Sequence, residues 1–221
     1  MPIQGEHHPA FEEYCVCIYE LREDDVDVIQ ARIADRLLVS RPSVSEMIHR
    51  LETEKLISLR DQKIRLTPKG EKLAQSVVRR HRLAERFLTD ILGLSWAHAH
   101  REAGKWEHVM SGEVEGAIAR VLGGPTTCPH GNPIPGSDYT APTAIRLSDV
   151  EVGHAFTVSR IPEELEFASG VLDFLEKTKL IPGSSGVVTA SQKTGVVTVE
   201  MEGKAVKVAS FTSARILVTT A

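Results

Sequence analysis

Residues 123–136 read Gly-Gly-Pro-Thr-Thr-Cys-Pro-His-Gly-Asn-Pro-Ile-Pro-Gly, and no helix can continue through so many glycines and prolines. The segment divides the chain into parts of different character. From 10 to 122 apolar residues recur mostly at helical spacing, and from 144 to 221 the pattern is mostly that of short strands. The expected class is therefore mainly α with a C-terminal β domain. With 221 residues, 42% of them apolar, the chain can build two or three small cores. Aromatic residues are only 5%, so aliphatic side chains must fill them.

A first helix is expected over about 10–22, ending at Arg22-Glu23-Asp24-Asp25. Ile29, Ile33 and Leu37 then repeat at helical spacing, and Val39-Ser40-Arg41-Pro42 breaks the pattern. Ser40 suits an N-cap, and Pro42 lacks an N–H that would find no helical partner in a first turn. Val44, Met47, Ile48 and Leu51 form the apolar stripe of a second helix, whose outer face shows Ser43, Glu46, His49 and Arg50. Leu56-Ile57-Ser58-Leu59 and Ile64-Arg65-Leu66, joined by Arg60-Asp61-Gln62-Lys63, predict a small β-hairpin. Thr67-Pro68 restarts a long helix with Leu73, Val77, Ala84, Leu88 and Ile91 on its apolar side, stopping at Gly93. Ser95 is expected to cap a helix running to about Met110, and Ser111 one over Glu113–Leu122.

Helix, short turn, capped helix and basic hairpin describe a winged helix-turn-helix. The formal net charge of −4 argues against nucleic acid until it is divided along the chain. Residues 28–86 hold 14 Lys and Arg against 7 Asp and Glu, a local +7, which leaves −11 for the remainder. A charge-mixed helical surface would look the same by charge alone. The expected DNA-facing residues are Ser40, Pro42, Ser43, Ser45, Glu46 and Arg50, with Arg60 and Lys63 of the wing on phosphates. Met1-Pro2-Ile3-Gln4 shows no secretory pattern, and no stretch approaches about 18 uncharged apolar residues. Cys15, Cys17 and Cys128 are odd in number and form no disulfide framework, so a cytoplasmic setting is expected.

His81 and Glu85 lie four apart on the long helix, and His100, Gly104, Glu107 and His108 fall on one stripe of the next. Imidazoles and carboxylates so spaced can clamp a divalent first-row ion, although any one pair is commonly just solvated surface. A metallohydrolase could use the same cluster. It would also need a nucleophile or general base and a cleft, and the chain has no HExxH, nucleophile elbow or phosphate loop.

Arg80-His81-Arg82-Leu83-Ala84-Glu85-Arg86, Trp106-Glu107-His108-Val109-Met110 and Gly131-Asn132-Pro133-Ile134-Pro135-Gly136 resemble the diphtheria-toxin-repressor family of metal-dependent regulators. So do Ala31-Arg32-Ile33-Ala34 and Ser40-Arg41-Pro42-Ser43-Val44-Ser45, and the resemblance spans essentially the whole chain. It implies a winged helix-turn-helix over 1–70, a helical dimerisation and metal-binding domain over 71–143, and an SH3-like (FeoA-like) barrel over 144–221. It also implies a homodimer on a palindromic operator, controlling metal-homeostasis genes, and two metal sites per subunit. The ancillary site maps onto His81, Glu85 and His100, with Glu163 and Glu166 from the β domain; the two glutamates would otherwise complement a helix N-terminus. The primary site maps onto Glu13, Gly104, Glu107 and His108.

Two positions depart from the family pattern. Iron-type members resemble Met and Cys at the positions of Glu13 and Gly104, and manganese-type members Asp and Glu. Gly104 offers at most its carbonyl, leaving water or Cys17 to fill the gap; a small core residue is the simpler role for Cys17. The hard donors that remain favour Mn²⁺, with Fe²⁺ the alternative, and loss of the metal response is a further reading. Glu46 stands where relatives tend to carry Gln.

Overall fold

A computed structural model describes residues 9–60 and 63–220, so Met1-Pro2-Ile3-Gln4 and the Asp61-Gln62 joint of the expected hairpin lie outside the described residues. The chain forms two compact units, residues 1–80 and 81–221, each with its own core.

In the first unit α1 (Pro9–Glu23), α2 (Gln30–Leu37) and α3 (Arg41–Thr53) precede the antiparallel pair β1 (Ile57–Arg60) and β2 (Lys63–Leu66), and α4 (Pro68–Arg86) begins. Ile18, Ile33, Val44, Ile48, Leu51 and Leu56 are all essentially inaccessible in one core, whereas Ile29, expected on the same stripe as Ile33, precedes α2 and is 39% exposed. Burying each contributes on the order of 1.5–3 kcal/mol. Leu38, at φ 54°, ends α2 in the left-handed conformation and turns the chain toward Ser40. There Ser40 Oγ accepts from the Ser43 N–H at 3.2 Å, the cap that starts α3 beside Pro42. Cys15 and Cys17 are buried in this core, and burial pushes both thiols up to about 12. Cys17 is a core residue.

The second unit takes the end of α4, a π-helical turn (Phe87–Ile91), α5 (Trp96–Trp106) and α6 (Gly112–Val121), which share the core of Leu83, Leu88, Ala99, Ala103 and Ile118. Beyond the Gly/Pro segment lie β3 (Ile145–Arg146), β4 (Ala155–Arg160), α7 (Glu163–Glu166), α8 (Val171–Thr178), β5 (Ser185–Ser191), β6 (Val197–Met201), β7 (Lys204–Val208), α9 (Ser210–Ser213) and β8 (Leu217–Thr219). Their sheet is antiparallel in the order β3-β8-β4-β5-β6-β7, around a core of Phe156, Val158, Leu165, Val188, Val199 and Val218. The Gly/Pro segment lies against β4. Ile161 N–H donates to the His130 carbonyl at 2.8 Å, and a Cβ on Gly131, at φ 86°, would meet Ser159 O at 2.4 Å. A glycine is required there.

Three local expectations are corrected. The helix begun at Pro68 does not stay α-helical to Gly93: Leu92 N–H bonds back five residues to Phe87 O at 3.2 Å. The extra residue in that turn rotates the later side chains by roughly 100° about the helix axis, so Leu88 stays buried while Ile91 is 51% exposed. The next helix ends at Trp106, not Met110, because the extended Ser111 cap (φ −72°, ψ 155°) of α6 obliges the chain to turn first. Ser95 holds the N-cap position of α5 but makes no side-chain bond; its carbonyl accepts from Ala99 at 2.8 Å.

Two helical glycines should respond in opposite ways. A Cβ on Gly70 would sit 2.0 Å from the Leu56 carbonyl oxygen, whereas nothing lies within 4 Å of one on Gly104. Gly70→Ala is expected to destabilise by about 1–3 kcal/mol or more, and Gly104→Ala to stabilise by about 0.5–1 kcal/mol. Urea unfolding of the two variants beside the parent chain measures both.

Candidate metal centre and nucleic-acid interface

Helical spacing brings the first donors together in the second unit. His81 Nε2 lies 3.2 Å from Glu85 Oε1 one turn on, and α5 carries His100 Nδ1 to 3.0 Å from the same oxygen. Glu166 of α7 places Oε2 3.2 Å from His100 Nδ1. Glu163, also buried, lies 3.5 Å from the Arg82 guanidinium, which in turn donates to the Pro133 carbonyl at 2.6 Å. All five expected ancillary residues thus fall in one cluster, with His81, Glu85 and His100 as one triad and His100, Glu163 and Glu166 as another.

The Gly/Pro segment adds two donors. His130 Nδ1 is 2.8 Å from Glu166 Oε2 and 3.6 Å from Glu85 Oε1, and Cys128 Sγ is 3.8 Å from His130 Nδ1. Glu85, Cys128 and His130 form a third, wholly buried triad. Glu166 Oε2 is close to two imidazoles without hydrogen-bond alignment to either, and buried His130 Nε2 has no hydrogen-bond partner among the described residues. Lone pairs that converge by distance but not as hydrogen bonds fit a cation. So does the charge balance: Glu85, Glu163 and Glu166 are buried together, while Arg82 brings one permanent positive charge. The donors fit a divalent ion bound by carboxylate, imidazole and thiol.

Of the expected primary residues, Glu107 and His108 sit in the turn after α5, with Glu107 Oε2 2.5 Å from His81 Nδ1 and Oε1 3.1 Å from His108 Nε2. His81 therefore joins the two sets. Gly104 is exposed on α5, with open space where a side chain would stand. Glu13 is exposed on α1, in the first unit.

Burial alone would lower the pKa values of the imidazoles, but their carboxylates outweigh it. His100, whose Nδ1 lies 3.2 Å from Glu166 and 3.0 Å from Glu85, is pushed up to about 10, and His81 and His130 are raised well above the usual range. Glu107 is held down to about 2, because His81 and His108 overcome its burial. Glu163 rises to about 7 through burial and the neighbouring Glu166, against the opposing pull of Arg82. These directions favour positive charge on the imidazoles beside the buried carboxylates.

In the first unit the cap residue Ser40 is exposed, as are Pro42, Ser43, Glu46 and Arg50 on α3 and Arg60 and Lys63 on the hairpin. Ser45 is half-buried, since its position on α3 is the flank of the apolar stripe. Arg50 stacks its guanidinium 5.2 Å from the Phe11 ring, and Lys63 Nζ lies 3.0 Å from Asp27 Oδ1.

Family models for the iron-dependent repressors match 8–63, as the N-terminal DNA-binding domain, and 67–136, as the metal-binding and dimerisation domain. The iron-dependent repressor IdeR of Mycobacterium tuberculosis (strain ATCC 25618 / H37Rv) is 38% identical over 200 residues, covering 85% of this chain and 87% of that one. The diphtheria toxin repressor of Corynebacterium diphtheriae is 49% identical over 128 residues, 58% of this chain and 57% of that one. Among solved structures, a manganese-dependent transcriptional repressor in complex with manganese matches with a TM-score of 0.85 at 30% identity, over 96% of this chain and 100% of that one. The chain belongs to the diphtheria-toxin-repressor family. Its relatives are transcriptional repressors dependent on metal, some on iron and some on manganese, and not enzymes, so the hydrolase reading falls. Among the described residues no helix is long and apolar enough to cross a membrane.

Sequence reasoning missed Cys128 and His130 because the segment carrying them has no periodicity to place side chains. A signal was present in the Cys-Pro-His triplet, two donors one residue apart in a segment too rigid to be a mere tether.

Imidazole and thiol bind a metal ion only after losing their protons, so protons and metal compete for His81, His100, His130 and Cys128. Apparent Mn²⁺ affinity should rise with pH up to about 10, where His100 gives up its proton, by up to roughly tenfold per unit for each proton displaced. Titration calorimetry in buffers of different ionisation enthalpy counts those protons; an affinity flat with pH would refute the competition.

Proposed function

We propose that the chain is a metal-activated repressor that acts in the cytoplasm and binds palindromic operator DNA as a homodimer, controlling metal-homeostasis genes. The supporting observation is the convergence of buried carboxylates and imidazoles from α4, α5, α7 and the Gly/Pro segment into one cluster that needs positive charge. Each subunit is assigned two sites. The primary one comprises Glu13, the Gly104 carbonyl, Glu107 and His108; the ancillary one comprises His81, Glu85, His100, Glu163 and Glu166, joined by Cys128 and His130. Residues 1–70 read DNA, 71–143 dimerise and bind metal, and 144–221 supply the glutamates of α7.

Mn²⁺ is the proposed effector ahead of Fe²⁺, because the primary donors are carboxylate, carbonyl and imidazole without a thiolate or thioether. A bound divalent ion supplies the charge that fixes these donors in one arrangement. His81, hydrogen-bonded to both Glu85 and Glu107, ties the two sites together. Val109, Val114 and Val121 are 80%, 48% and 63% exposed on and before α6, an apolar surface suited to a second copy. On α3, Ser40 and Ser43 at the helix start suit phosphate oxygens, and Glu46 suits a cytosine amino group.

A gel shift on operator DNA with and without Mn²⁺, and anaerobically with Fe²⁺, tests this reading. Binding should require metal, and Glu107→Ala should abolish the metal-triggered shift while leaving the fold intact. Tight binding with no metal would mean a regulator that has lost its response, and activation by Fe²⁺ at far lower concentration than Mn²⁺ would reverse the metal assignment. Lys63→Ala should remove one phosphate contact, lowering the slope of log affinity against log salt by about 1. An unchanged slope would take the hairpin off the DNA.

A further inference from the structure

Asn132 is fully buried in the Gly/Pro segment beside the ancillary cluster and is not one of its donors. Its amide has one possible orientation. Arg160 Nε, which can only donate, lies 2.5 Å from Asn132 Oδ1. The Ile161 carbonyl oxygen and Glu166 Oε1, both acceptors, lie 3.0 and 2.7 Å from Nδ2. A flipped amide would set donors against Arg160 and an oxygen against two acceptors. Both amide hydrogens are therefore spent, one on the residue before Pro162 and α7, the other on a single oxygen of Glu166.

That leaves the two oxygens of Glu166 in different positions. Oε1 is committed to Asn132, while Oε2 faces His130 Nδ1 at 2.8 Å and His100 Nδ1 at 3.2 Å. We propose that Asn132 is a positioning residue that restricts Glu166 to coordination through Oε2 alone. This rests on the reading of the cluster as a metal site. Asn132 also stands two residues from His130, whose carbonyl accepts from the Ile161 N–H at 2.8 Å. The same short stretch thus sets a donor from the Gly/Pro segment and a donor from α7 against each other. A carboxylate held by one oxygen adds one bond to the ion; released, it can turn and offer two, changing both affinity and coordination number.

Asn132→Asp keeps the shape and replaces the NH2 donor by an oxygen facing two acceptors. Asn132→Ser removes the contact without adding charge. The test uses the full chain with Co²⁺ as the probe, following its visible ligand-field absorption during titration, with Mn²⁺ affinity measured by calorimetry. Both variants should bind 10–100-fold more weakly than the parent, the usual effect of removing a partner that orients a metal ligand. Their Co²⁺ absorption should also change in intensity, because Glu166 is no longer held by one oxygen. Both effects should vanish in a Glu166→Ala background, since Asn132 acts through that carboxylate.

Full additivity of the Asn132 and Glu166 substitutions, or an unchanged Co²⁺ spectrum, would overturn the positioning role while leaving the metal site standing. Absence of Co²⁺ and Mn²⁺ binding by the parent chain would overturn both. Unfolding of both metal-free variants, seen by circular dichroism, would make Asn132 a scaffold residue and overturn the proposal as well.

Discussion

Glu85, Glu163 and Glu166 are buried within one small volume, and desolvated carboxylates that close to one another repel unless positive charge is brought in. Much of the second unit depends on that constraint. Arg82 is drawn inside with them, its guanidinium shared between Glu163 and the Pro133 carbonyl. Three imidazoles surround the carboxylates, which favour the protonated form of each ring against the opposing effect of burial. The Gly/Pro segment is pinned where His130 and Asn132 can meet α7, which explains why residues with so little regular structure are as buried as a core strand.

How much of this the sequence discloses depends on periodicity. His81 and Glu85 are legible because a helix stacks residues four apart on one face, where their side-chain tips come within 3.2 Å. The Ser40 cap and the stripe of Val44, Ile48 and Leu51 are legible for the same reason, since short-range rules fix them before any tertiary contact forms. Glu163 and Glu166 are placed by family resemblance alone, since nothing local aims α7 at a helix more than sixty residues earlier in the chain. Cys128 and His130 have neither aid. The two misplaced helix ends have a common cause: an extrapolated period assumes an unbroken α-helical phase, which a π turn at Phe87–Ile91 and a capped start at Ser111 both interrupt.

The uneven charge reflects two tasks. The cationic excess lies in 28–86, where exposed Arg50, Arg60 and Lys63 meet solvent, while the carboxylates of the remainder include those buried around the cluster. A whole-chain net charge averages over two surfaces with different partners and describes neither. The basic surface is itself partly engaged, Arg50 over the Phe11 ring and Lys63 beside Asp27, so part of its charge is already balanced at short range. Contacts to phosphate would have to exceed these local ones, and the exposed Lys63–Asp27 pair, about 0–1 kcal/mol, is weak enough to give way.

Gly104 and Cys128 bear on metal choice from opposite directions. Gly104 would bring no side-chain donor to the proposed primary site although open space stands beside it, so packing does not require a glycine there. Cys128 would add a soft donor to the proposed ancillary set, yet burial and the nearby Glu85 raise its thiol pKa, against a partial opposing effect of His130. A thiol held protonated is a poor ligand, and it becomes a good one only for an ion that binds sulfur strongly enough to displace the proton. Mn²⁺ stands lowest in the affinity order and has little power to do so, whereas the ions above it have progressively more. With Mn²⁺ the ancillary set would act mainly through its carboxylates and imidazoles, and with a softer ion through sulfur as well.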